Sequence, residues 1–117
     1  MPYYLTQASY TAEAWKAQAQ NPQDRSDVIR QLLESSGGRL VSMYYAFGEY
    51  DIVMISEAPD NVTVASVIIA AAAGGAVSSV KTTPLMTADE GMEAIKKAGA
   101  VEKYQEKRKN EGRNNSV

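Results

Sequence analysis

Apolar and polar positions along this 117-residue chain change their period several times. Tyr3 to Tyr10 is a run of β-formers opening with Tyr-Tyr-Leu-Thr, and it predicts a first strand. Thr11 then offers an N-cap to TAEAWKAQA, a stretch rich in helix formers. Asn21-Pro22 interrupts that helix, because the residue before proline is pushed out of the α region. Asp24 or Ser26 restarts it. Val28, Ile29, Leu32 and Leu33 form an apolar stripe opposite Arg30, Gln31 and Glu34, and Gly37-Gly38 ends the helix.

Arg39 to Phe47 and Tyr50 to Glu57 read as two strands separated by Gly48-Glu49. A two-residue gap with glycine first suits a tight type II′ hairpin, with φ > 0 at Gly48. In the second strand Val53 and Ile55 alternate with Ile52 and Met54, so both faces are apolar and both need cover. Asp60 caps the next helix, Val62 to Ala73. That run has no clear period, and length, the Asp cap and the Gly74-Gly75 stop decide for a buried helix over a strand. Ala76 to Thr83 predicts a fourth strand, ended by Pro84. Thr87-Ala-Asp-Glu90 is a capping-box pattern opening a terminal helix. Met92, Ile95, Ala98, Val101 and Tyr104 give that helix a narrow apolar stripe, and the segment from Asn110, NEGRNNSV, reads as frayed or disordered.

The order is β-α-β-β-α-β followed by a helix: an α+β, ferredoxin-like split βαβ with an antiparallel four-stranded sheet. Such a sheet carries helices on one face only. Tyr3, Tyr4, Leu5, Val41, Met43, Tyr44, Tyr45, Phe47 and Ile52 to Ile55 supply more apolar surface than two helices can hide. A second copy packed sheet to sheet would hide the rest, which predicts a homodimer of the α/β-barrel kind with a shared interior. The pattern divides the chain into a domain at 1–100 and a basic helical tail at 101–117.

Composition narrows the chemistry. Hydrophobic residues make up 44% and charged residues 22%, which describes a folded globular chain. Cys and His are both 0, so thiolate, imidazole, Ser-His-Asp and Cys-His sites are excluded within one chain. No GxGxxG or Walker pattern appears, and no cofactor is predicted. Residues 1 to 10 lack the features of a signal peptide, and Val62 to Ala73 is too short to span a bilayer, so a cytoplasmic protein is expected. From Lys96 onward the chain carries 7 basic and 3 acidic residues, against 5 basic and 11 acidic before it. Such asymmetry can mark a nucleic-acid arm, but the basic residues alternate with Glu at helical spacing and the body is acidic, which favours a solvated helix face. That helix could also pack on the body of a neighbouring subunit.

The hairpin AFGEYDIVMI, with Gly48, Tyr50 and Asp51, resembles the GYD-domain family, small bacterial proteins named for these residues. The likeness runs from Tyr3 to about Ile95. It includes Asn21 to Arg25 (NPQDR), Gly37-Gly38-Arg39, Glu57 to Asn61 (EAPDN) and Lys81 to Thr87 (KTTPLMT). It implies the same dimeric, ferredoxin-like fold and little about activity. The hairpin is also similar to one in the effector-binding domains of leucine-responsive regulators, where a glycine-aromatic-aspartate turn helps to bind amino acids at a subunit interface. The helix-turn-helix domain of those regulators has no counterpart in this sequence.

The candidate ligand-binding residues are Tyr50, Asp51, Tyr45, Tyr4, Thr6 and Lys81. Asp51 either accepts backbone N–H groups and pins the hairpin or meets a polar ligand. Lys81 either neutralises a ligand carboxylate or protects a strand edge from aggregation. Trp15 either caps one mouth of the barrel or packs in the core. Two functions follow from these readings. One is a non-catalytic module that binds a small molecule near Gly48-Tyr50-Asp51 or builds an assembly. The other is a cofactorless monooxygenase or isomerase with Asp51 as base.

Overall fold

The computed structural model describes residues 1–115, with side chains to Gly112. The element order is β1 (Tyr3–Tyr10), α1 (Ala12–Gln20), α2 (Arg25–Ser35), β2 (Arg39–Tyr45), β3 (Ile52–Glu57), α3 (Asn61–Ala73), β4 (Val77–Leu85) and α4 (Ala88–Asn115). The strands form one antiparallel sheet in the order β2-β3-β1-β4. This is the ferredoxin-like α+β arrangement, with the first crossover split into two helices around Asn21-Pro22.

Side chains start each helix. Thr11 Oγ1 accepts the Ala14 N–H at 3.1 Å, Asp24 Oδ1 accepts that of Ser26 at 2.9 Å, and Asp60 Oδ1 accepts that of Thr63 at 2.8 Å. Thr87 and Glu90 exchange side-chain and backbone bonds at 3.2 and 3.0 Å, closing the capping box of α4. Each cap stabilises its helix by about 1 kcal/mol. Gly37, at φ +82°, ends α2 in a conformation that side chains avoid. The next residue, Gly38, lies against the Glu57 carbonyl at the start of β2.

Alternation along β1 sets the two faces of the sheet. Tyr4, Thr6 and Ala8 are buried, and the partners Ser56 and Ile52 on β3 are buried with them. Leu33 of α2 and Val67 of α3 meet in one cluster over Leu40, so both helices cover this same face. Val64 of α3 closes a second cluster with Tyr4 and Ala58. The opposite face carries Tyr3, Leu5 and Gln7, flanked in register by Glu57, Ile55 and Val53 on one side and Leu85, Thr83 and Lys81 on the other. Leu5, Val53 and Ile55 remain only half-buried there, and Tyr44 is exposed.

Two elements differ from the expectation. The β2–β3 connection is a six-residue loop, 46–51, and Gly48 has no positive φ; among the described residues only Gly37 and Gly75 do. The reason is non-local. The Ala46 N–H donates to the Asp51 carbonyl at 2.8 Å, while the Asp51 N–H turns away to the Ala8 carbonyl at 2.9 Å. Strand β4 also runs through Pro84 to Leu85 rather than stopping before it. Because β4 is an edge strand, a missing N–H is tolerated on its outer side.

The chain divides into two compact units, Met1–Leu85 and a second that begins at Met86 and holds α4. Asp89 and Glu90 favour the N-terminus of that helix, and Glu93 pairs with Lys97 at 3.4 Å. Met92, Ile95, Val101 and Tyr104 are all exposed. The helix continues past Asn110 to Asn115, because no proline stops it and Glu, Lys, Gln and Arg sustain it. Ser116 and Val117, the end of the predicted frayed segment, lie outside the described residues. Among the described residues no helix is long and apolar enough to cross a membrane.

Candidate functional site

The 46–51 loop is fastened to the end of β1 at several points. The Ser9 hydroxyl donates to the Glu49 carbonyl at 2.9 Å. Asp51 Oδ2 accepts the Tyr10 N–H at 2.9 Å and the Trp15 Nε1–H at 3.3 Å. The first is a charge-assisted bond across 41 residues of sequence, and the two together tie loop, strand and α1. Asp51 therefore accepts backbone and indole donors, which is the pinning role weighed for it.

The six candidate residues fall in different places. Tyr50 and Lys81 share an open groove of about 420 Å³ on the helix-free face, together with Gln7, Val53 and Phe47. The register explains this grouping, since Gln7 sits between Val53 and Lys81. Tyr45 points to the other side, where it pairs with Ile52 and lines a trough of about 540 Å³ with Trp15, Asp24 and Phe47. Tyr4 and Thr6 join neither group. They are 1% exposed beneath the helices, with the Tyr4 hydroxyl donating to Asn61 Oδ1 at 2.6 Å and Thr6 Oγ1 lying 3.2 Å from Thr82 Oγ1. Expecting them beside Lys81 fails because strand alternation puts Tyr4 and Thr6 on the opposite side from Gln7. Asp51 lies behind both hollows and is not among the residues lining either.

Trp15 and Phe47 are the surface aromatics that the sequence did not single out as a pair. Trp15 is 40% exposed, so it is not a core residue, and its ring meets Tyr10 edge-on at 5.1 Å and 81°. Phe47 is fully exposed at the tip of the loop. The signal was an aromatic between polar or small residues in each case, a pattern that burial does not require.

Charge is organised at two points. Burial holds the Tyr10 hydroxyl above its ordinary pKa, with the nearby Tyr45 and Asp51 adding to the shift and Arg25 opposing it. At the far end of the sheet's open face, the Arg39 Nε–H donates to Glu57 Oε2 at 2.9 Å. That bond, together with the Tyr3 hydroxyl, holds the Glu57 carboxyl below its usual range, and Glu57 in turn raises Tyr3. Among the described residues no three Asp or Glu side chains gather where they could hold a metal ion.

The sheet order and both crossovers define a ferredoxin-like chain whose β2–β3 loop bears the Gly48-Glu49-Tyr50-Asp51 segment. The sequence profile described as GYD domain matches residues 4–95, and the chain belongs to this family. It is similar to a Thermus thermophilus protein described as a glutamine synthetase and cystathionine beta-lyase binding protein. Identity is 29% over 89 residues, covering 76% of this chain and 94% of that one. Similar solved structures include one of a Thermus thermophilus protein, 13% identical with a TM-score of 0.49, covering 75% of this chain and 96% of that one. A hypothetical protein from Pyrococcus horikoshii is 12% identical with a TM-score of 0.47, covering 74% and 92%.

Proposed function

We propose that this chain is a non-catalytic binding module that pairs with a second copy through the helix-free sheet face and, as a homodimer, docks onto larger proteins. One observation carries the reading: Leu5, Val53, Ile55 and Tyr44 form a contiguous apolar strip on a face that α2 and α3 do not cover. Burying such a strip against its own copy removes apolar area from water at about 25 cal/mol per Å². The Thermus relative supports the second half, since its description is that of a binding protein and the likeness spans nearly its whole length. Employment of the Asp51 carboxylate in the loop's own architecture supports a binding rather than a catalytic role.

A second reading rests on the groove of Gln7, Tyr50 and Lys81. Glu49 lines the same hollow, and an amide, a phenol, an ammonium and a carboxylate together suit a small polar ligand that carries both charges, held at the rim of the paired sheets. Sedimentation velocity tests the main reading. The wild-type protein is expected near twice its 12.7 kDa chain mass, and Ile55→Lys, which sets a charge in the apolar strip, is expected to give monomers. A wild-type protein that stays monomeric at micromolar concentration would contradict the proposal.

A further inference from the structure

We infer that the aromatic trough beside α1 receives an arginine side chain of a partner protein, a deepening that rests on the binding-module reading above. The trough opens on the helix side of the sheet, because Tyr45 pairs with Ile52 and shares its direction. Phe47 stands where the trough meets the groove of the pairing face, since it lines both, whereas Trp15, Tyr45 and Asp24 line the trough alone. Trp15, Tyr45 and Phe47 line one hollow of about 540 Å³, and all three are exposed. Exposed aromatics gathered around a concavity are the composition of interface anchors rather than of ordinary surface.

The platform is built before any partner arrives. Trp15 is held by its Nε1–H bond to Asp51 and by the edge of Tyr10, and Asp51 is itself held by the Tyr10 N–H. An indole fixed in this way does not have to be ordered on binding, which lowers the entropic cost of association. The hollow also has a sign. Asp24 lies on its rim with Oδ1 engaged by the Ser26 N–H and hydroxyl at 2.9 and 2.6 Å. Among the described residues its Oδ2 has no hydrogen-bond partner. Those bonds hold the Asp24 carboxyl below its usual range, so it is an anion at neutral pH. Gln18 and Gln23 line the same wall, and among the described residues no lysine or arginine does. Two cations stand near it: Arg25, which follows Asp24 and opens α2, and Arg30, which also lowers the Asp24 carboxyl but is paired with Asp27 at 2.8 Å.

Ring faces beside a carboxylate match a guanidinium. Its plane stacks on the aromatic face while its edge N–H groups reach an anionic oxygen, which a compact ammonium cannot do at once. A purely apolar occupant would strip water from Asp24 without pairing it. An acidic occupant would be repelled.

Trp15 is the single tryptophan of the chain, so its fluorescence reports from the trough itself. Full-length protein is titrated with a capped Leu-Arg-Leu tripeptide, with its citrulline counterpart (the same shape without charge) and with its glutamate counterpart. The expected result is saturable change with the arginine peptide at roughly tenfold lower concentration than with citrulline. The preference should shrink in high salt. Phe47→Ala and Asp24→Asn are each expected to weaken arginine binding about fivefold, and asparagine preserves the cap on α2. Equal response to arginine and citrulline, stronger response to glutamate, or no saturable response overturns the inference. So does a change in oligomeric state on Tyr45→Ala in the absence of peptide, which would make a second copy the occupant, because Tyr45 lines the trough and not the groove of the pairing face. Sedimentation of the same samples separates the two proposals: a dimer without arginine preference refutes only this one, and a monomer refutes the paired-sheet reading.

Discussion

Gly38→Ala and Gly48→Ala make the same chemical change at two glycines, and the structure predicts opposite outcomes. A Cβ at Gly38 would stand 2.5 Å from the Glu57 carbonyl oxygen and 3.3 Å from that of Leu33. Both obstacles are backbone, so no side-chain rotation relieves them. Restoring an ordinary carbon–oxygen contact requires the start of β2 to retreat by about 0.8 Å from β3, judged against normal van der Waals spacing. That retreat stretches the 2.8 Å bond from the Gly38 N–H to the Leu33 carbonyl and disturbs the adjacent Arg39–Glu57 pair. Overpacking of this kind costs about 2–3 kcal/mol, or a fall in Tm on the order of 10–20 °C for a domain of this size. Gly48 has nothing within 4 Å of its ideal Cβ and no positive φ. Alanine there restricts the unfolded chain more than the folded one, for a gain of about 0.4–1 kcal/mol. Urea unfolding of both variants, followed by Trp15 emission and circular dichroism, reads the difference directly. A Gly38→Ala protein within about 0.5 kcal/mol of wild type would refute the close-approach argument, and a Gly48→Ala protein that loses stability would show that the family's namesake glycine has a conformational duty after all.

Other outcomes follow from the same contacts. Asp51→Ala removes the acceptor of the half-buried Tyr10 N–H and is expected to cost about 2 kcal/mol, with a change in Trp15 emission; Asp51→Asn, which can still accept one bond, should recover part of that loss. Tyr4→Phe deletes the 2.6 Å bond to Asn61 and should lower stability by about 1 kcal/mol; an unchanged urea midpoint would show that water replaces the bond without loss. Acid should unfold the protein in a defined sense. Glu57 is depressed chiefly by the Arg39 bond, Asp60 by its bonds to Thr63 and Glu90 by its bonds to Thr87. A depressed carboxyl contributes stability that is complete above its unfolded value and lost as pH falls through its folded value. Urea midpoints should therefore hold above the ordinary glutamate value of 4.5 and decline below it, and midpoints that rise on acidification would contradict the assignment. At the alkaline end Tyr3 and Tyr10 are raised, so their contribution is complete below the ordinary tyrosine value of 10.0 and lost above it.

Local physics was legible in the sequence because it acts over three or four residues. Thr11, Asp24, Asp60 and the Thr87–Glu90 pair cap helices wherever the chain places them. The Asn21-Pro22 break and the glycine stop after Ser36 belong to the same class. The loop at 46–51 was not legible, since it depends on where Ala8 and Tyr10 lie, about 40 residues earlier. Alternation showed that Tyr4 and Thr6 share a face, yet not which face the helices would choose. The β1–β4 register, which sets Lys81 opposite Gln7, separates Tyr4 from Lys81 by the thickness of the sheet. Strand β4 outlasted Pro84 for a related reason: only the sheet order reveals that this strand is an edge.

Pro84 carries one more implication. It pairs in register with Tyr4 on β1, and lacking an N–H it can only turn its nitrogen outward, away from the ladder. The outer rim of β4 thus misses a donor at that position, and Lys81 sets a solvated charge on the same rim. A foreign strand trying to extend the sheet there would find both a gap and a cost in desolvation. Growth into filaments by strand addition is discouraged at this margin, and β2 is left as the sheet's other edge.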